Sequence, residues 1–172
     1  MTRLPVFSAP QDAAGEEFGW FVYGSSLDFD ALTAWCAEHG YHPPAVDRAQ
    51  PARLPGWRLA FNVPSKFWGG LVASLVPDPS GSVEGVLLPV PGTALGFVRH
   101  KEGVLSGLFA EREAEVELAG GTRRPCRVYL AAPDRVVAEG RPAPRFLETV
   151  LRGARERGLS AGWIAALGAI GA

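Results

Sequence analysis

The sequence predicts an α+β domain, with a strand-rich centre and helices near the front and at the end. Three observations lead there. The centre carries aromatic and β-branched runs bounded by Gly, Pro and Asp turns. Near both ends, apolar residues instead recur at every third or fourth position, the spacing of an amphipathic helix. No repeat of about 20–50 residues is present, which excludes a solenoid.

Taken in order, residues 1–17 are polar and rich in Ala and Pro and read as a loose lead-in, leaving 18–172 as a single domain. Phe18 to Tyr23 reads as a strand that Gly24 breaks. Phe29, Leu32, Trp35 and Cys36 mark a helix to about His39, stopped at Gly40, with Asp28, Ser26 or Ser25 as its cap. The four prolines of "YHPPAVDRAQPARLPG" (41–56) predict a surface connection. Strands follow at 57–62, 70–77 and 83–90, the last two joined by the turn "DPSG". A short helix is expected within 91–101, then strands at 109–118 and 125–132 around "AGGTRR". After "EGRPAP", Phe146, Val150, Leu151 and Ala154 define a helix to about Arg157. Gly158 stops it and Ser160 caps another.

The chain has 172 residues, enough for one domain with a real core, and is 47% apolar and 20% charged, a soluble globular balance. Its formal net charge of −1 points away from nucleic acid, whose phosphates require a concentrated basic surface. A small molecule is the expected partner. Cys36 and Cys126 lie far apart without C-x-x-C spacing, so neither a zinc site nor a disulfide is expected, and a reducing cytoplasm is the expected location. The N-terminus lacks an apolar leader, and apolar stretches break before the roughly 18 residues a membrane span needs. "GWIAALGAIGA" therefore reads as a docked terminal helix. The sequence carries no signal for oligomeric state.

Few polar groups suggest chemistry. In "FVYGSSLD" (21–28) a strand runs into three small residues and then a helix, an arrangement whose N–H groups suit an anion and which equally makes a tight, serine-capped connection. Ser25 lacks the G-x-S-x-G context of a hydrolase nucleophile. Cys36 belongs to an apolar helix face. His39, His42 and His100 share no metal-ligand spacing, so no metal is expected. Glu102, in "HKEGVLSG", stands at a helix–strand junction beside glycines, where it is either an ordinary solvated carboxylate or one whose partial burial would raise its pKa toward that of a general base or acid.

Together these segments resemble the γ-glutamyl cyclotransferase family. Tyr23, Gly24, Ser25, Ser26 and Leu27 are similar to its Y-G-S-N-L turn, and "KEGVLSGLF" to its E-G-V-x-x-G-x-Y segment. "GGLVASLVPDPSGSVEGVLLPV" resembles its paired strands. "RPAPRFLETVLRGARERGLSAGWIAAL" resembles its closing helices. The likeness runs in order from about residue 18 to 168. It implies a small mixed β-barrel or sheet core with flanking helices, and cyclisation of a γ-glutamyl substrate to 5-oxoproline with no cofactor. Glu102 would be the catalytic base and acid, and residues 23–27 the loop holding the γ-glutamyl group.

Four positions depart from that pattern. The family's turn Asn is Ser26. Val98 and Arg99 replace a Leu-Asp pair, and Arg99 would lower the pKa of a nearby Glu102. A tyrosine is replaced by Phe109. Tyr129 offers either a pocket hydroxyl or a buried structural side chain. The 41–56 segment and the stretch around Phe67 and Trp68 are candidate pocket walls. The departures leave a second expectation beside the enzyme: an altered or inactive relative that binds a small carboxylate.

Overall fold

The computed structural model describes residues 16–171. Five strands close into one mixed barrel, in the order β1-β3-β2-β4-β5. β1 (Glu17–Val22) pairs antiparallel with β3 (Gly70–Pro91), and its Trp20 pairs parallel with Arg127 of β5 (Arg123–Ala131), which closes the ring. β2 (Gln50–Ser65) joins β3 to β4 (Phe109–Leu118), and β4 pairs with β5 along its whole length. Trp20, Phe21 and Val22 are almost fully buried, as befits a strand paired on both edges. The expected lead-in lies outside the described residues except for Glu16 and Glu17, and Glu17 already belongs to β1.

Two expectations change here. The 41–56 segment is not all connection, because Gln50 to Pro55 pair with Leu87 to Ser82. Pro51 stands next to the start of β2 and Pro55 at a bulge, positions where a strand tolerates the missing N–H. Nor does "DPSG" join two strands. Pro55 pairs with Ser82 and Trp57 with Pro77, so residues 78–81 bulge out of one continuous β3 opposite Gly56. Gly56 takes φ 87°, which only glycine adopts easily, and the long β2–β3 hairpin bends there. The Asp78 carboxylate accepts from the N–H and hydroxyl of Ser80, so the sequence signal for a turn was real while its role was not.

Among the described residues four α-helices pack around the barrel: α1 (Phe29–His39), α2 (Leu95–Lys101), α3 (Pro144–Glu156) and α4 (Ala161–Ile170). Asp28 caps α1, accepting from the N–H groups of Asp30 and Ala31 at 3.1 and 3.2 Å. Ser160 caps α4 and is held to the barrel by Glu84 of β3. The buried stripe of α3 includes Phe146, Val150 and Ala154, as the periodicity predicts. Among the described residues no helix is long and apolar enough to cross a membrane.

Candidate active site

The site begins where β1 ends. The Tyr23 hydroxyl donates to the Tyr129 carbonyl at 2.6 Å, anchoring the end of β1 to β5. The chain then turns through Gly24 into a single helical turn, Ser25–Leu27, closed by Leu27 N–H to the Gly24 carbonyl and Asp28 N–H to the Ser25 carbonyl, both at 3.1 Å. As the first residues of that turn, Ser25 and Ser26 have N–H groups with no acceptor inside it.

Helix α3 seats this turn from behind. A methyl on Gly153 would lie 2.3 Å from the Leu27 carbonyl carbon and 2.4 Å from the Asp28 nitrogen, so the two backbones meet only because a hydrogen stands there. Arg152, one position earlier, reaches the buried Asp28 carboxylate at 3.3 Å. Leu27 is fully buried.

Glu102 arrives on a different element, at the end of α2. Leu95, Phe97 and Val98 bury one face of α2, and Glu102 follows as its C-cap, its N–H donating to the Val98 carbonyl at 2.9 Å. The Trp20 indole N–H donates to Glu102 Oε1 at 3.1 Å. Burial pushes the Glu102 carboxyl up to about 7, opposed by the Lys101 charge and by the Trp20 hydrogen bond. Tyr23 is also pushed well above its ordinary range, by burial first and then by the Glu102 charge.

Gly24, Ser25, Ser26 and Glu102 line one cavity of about 470 Å³. Its walls are largely apolar, and Trp35, Phe67, Trp68, Phe109 and Phe146 are among them. Tyr23 belongs to the lining, whereas Leu27 and Tyr129 do not. The Tyr129 hydroxyl instead donates to Glu111 at 2.8 Å, and Leu27 packs beneath the turn. Phe67 and Trp68, at the tip of the β2–β3 hairpin, wall the cavity; residues 41–56 do not.

Arg99 does not act on Glu102 as expected. Its guanidinium forms two hydrogen bonds with Glu111, at 3.1 and 2.9 Å, and that carboxylate neutralises it. The neighbouring cation that does lower the Glu102 pKa is Lys101. Val98 is fully buried in the core, so its replacement of a family leucine is a packing matter. Trp20 gave no sequence signal beyond a strand residue, and Glu111 none, because its partner lies in a different element. Lys101 was visible only as a neighbour of Glu102. His39 ends α1, His100 accepts or donates a hydrogen bond with the Tyr41 hydroxyl at 2.9 Å, and His42 sits in the loop after α1. Among the described residues no three His, Cys, Asp or Glu side chains gather to hold a metal ion.

The closed barrel thus brings a helical turn and a glutamate to one cavity. Residues 82–167 match the profile of the AIG2-like family. A γ-glutamylcyclotransferase from Bos taurus is 31% identical over 149 residues, covering 84% of this chain and 74% of that protein. The Mus musculus γ-glutamylcyclotransferase is 30% identical over the same shares. A solved structure of a γ-glutamyl cyclotransferase superposes with a TM-score of 0.76 at 26% identity, over 90% of this chain and 88% of that one. The chain belongs to the γ-glutamylcyclotransferase family of enzymes.

Proposed function

We propose that this enzyme cyclises a γ-glutamyl group to 5-oxoproline, with Glu102 carrying the protons. The observation that supports it best is that a glutamate with a pKa of about 7 shares a single cavity with the Gly24–Ser26 turn. The substrate's α-ammonium must lose a proton before it can attack the γ-carbonyl, and ionised Glu102 is the base available. As the new C–N bond forms, the γ-carbonyl oxygen gains negative charge. The N–H groups of Ser25 and Ser26 are the candidates to receive either that oxygen or the substrate's α-carboxylate.

Collapse breaks the old γ-C–N bond. The lactam nitrogen keeps one of three ammonium hydrogens, and the departing nitrogen takes up the other two, leaving as an ammonium. Glu102 relays them in turn, and a pKa near neutrality suits a group that must both accept and donate. Tyr23, Gly24, Ser25 and Ser26 form the γ-glutamyl wall, with Leu27 and Tyr129 supporting it from beneath. The alternative, a binding module without turnover, loses one of its motives because Glu111 neutralises Arg99. The two free, buried cysteines fit a reducing cytoplasm.

Incubation with a panel of γ-glutamyl amino acids and amines, followed by detection of 5-oxoproline, tests the reaction; no release from any of them by folded protein refutes it. Glu102→Gln is expected to lower kcat by at least about a hundredfold with binding retained. kcat/KM should rise with pH through about 7 as Glu102 ionises.

A further inference from the structure

The cavity extends well beyond the turn and Glu102. Ala31, Trp35 and Glu38 all line it, and at this spacing they share one face of α1. From Ala31 to His39 that face runs about 12 Å. A five-membered ring closing against Glu102 leaves the far end, toward the C-terminus of α1, for the group that departs.

A cation stands on the way to that end. Lys101 lines the cavity, and its ammonium lies 5.6 Å from the centre of the Trp35 ring. That contact places Lys101, the residue before Glu102, against the Trp35 face of α1 inside the same cavity. Trp35 is itself held: His39 stacks on it at 3.9 Å, Tyr41 at 5.8 Å, and His100 meets it edge-on at 5.1 Å. The cation therefore has a fixed aromatic seat. Glu102 acts on it only through space, with no hydrogen bond between them. An ammonium partly withdrawn from water, with no ion-pair partner among the described residues, is stabilised by an incoming anion.

Resting on the cyclisation reading above, we propose that Lys101 is a specificity-determining residue whose ammonium holds the carboxylate of the departing amino acid. Glu102 serves the departing nitrogen, and Lys101, the residue before it in the chain, meets the carboxylate one carbon further out. The enzyme then favours γ-glutamyl amino acids over γ-glutamyl alkylamines of the same size. The aromatic walls at Phe67 and Trp68 leave room for an apolar side chain without dictating it.

The test compares kcat/KM for γ-glutamylalanine and γ-glutamylethylamine, which differ by that carboxylate alone, in the wild-type enzyme and in Lys101→Gln and Lys101→Arg. The wild type is expected to prefer γ-glutamylalanine by about tenfold to a hundredfold, the scale of one charged hydrogen bond. Lys101→Gln should erase most of that ratio, chiefly through KM for γ-glutamylalanine, and Lys101→Arg should keep much of it. An equal loss on both substrates in Lys101→Gln would assign the cation to the γ-glutamyl group's own carboxylate and overturn the proposal. An unchanged ratio in that variant would overturn it as well. Release of 5-oxoproline from both substrates without preference by the wild type sinks this inference alone, whereas release from neither sinks the reaction on which it rests.

Discussion

Two neighbours tune Glu102, Lys101 by its charge and Trp20 by a hydrogen bond, and the second leaves a measurable trace. Removing the indole donor in Trp20→Phe withdraws a hydrogen bond that favours the ionised form, so the acid limb of the kcat/KM profile should move up by about one pH unit. A limb that stays in place would mean the indole does not tune the carboxylate. The same residue makes a stability prediction. Between about 4.5 and about 7, the folded protein holds a proton on Glu102 that the unfolded chain has released, so this residue's contribution falls as pH rises across that window. Glu102→Gln should therefore be more stable than the wild type at pH 8, by about 1–3 kcal/mol, and indistinguishable from it near pH 4. Denaturant titrations at the two pH values check this; equal differences at both would contradict it. Glu102 was legible in the sequence through its junction position and its motif. The partners that tune it were not, since Trp20 is 82 residues away and looks like any strand aromatic. Arg99 shows the converse: three positions from Glu102 in sequence, it belongs in space to Glu111.

At the scale of elements, helix α3 and the 24–28 turn behave as one unit. Gly153→Ala should destabilise the protein by at least about 2 kcal/mol, because the added carbon meets backbone and no side chain can swing away. Thermal melting measures the cost, and a Tm within a degree of the wild type would refute the packing described. Where it folds, this variant should also raise KM, since the turn must shift to make room. Local rules read α1 well: the Asp28 cap, the i, i+3, i+4 apolar spacing and the Gly40 stop all lie within the element they define. They misread "DPSG" because an Asp-Ser turn has the same chemistry in a hairpin as in a bulge. Only the strand alongside decides between them, and β2 continues past it on both sides.

For the whole molecule, closure of the barrel depends on β1, which lies between β3 and β5. Its central amides, from Trp20 to Val22, should exchange with deuterium only through global unfolding. Those at the β2–β3 hairpin tip, where Phe67 is 69% exposed, should exchange through local opening. Equal protection at the two places would argue against a barrel held shut by β1. The sequence conveyed the α+β class, and the family likeness a barrel. Ring order was out of reach, because pairing Trp20 with Arg127 is a relation between residues more than a hundred positions apart. The closure also bears on the Gly24–Ser26 turn, which is pinned at one end by the Tyr23–Tyr129 hydrogen bond and pressed at the other against the bare backbone of Gly153. Such a loop has nowhere to relax when the cavity is empty. Its conformational freedom is surrendered during folding, before any substrate arrives, and the binding step then has little left to order.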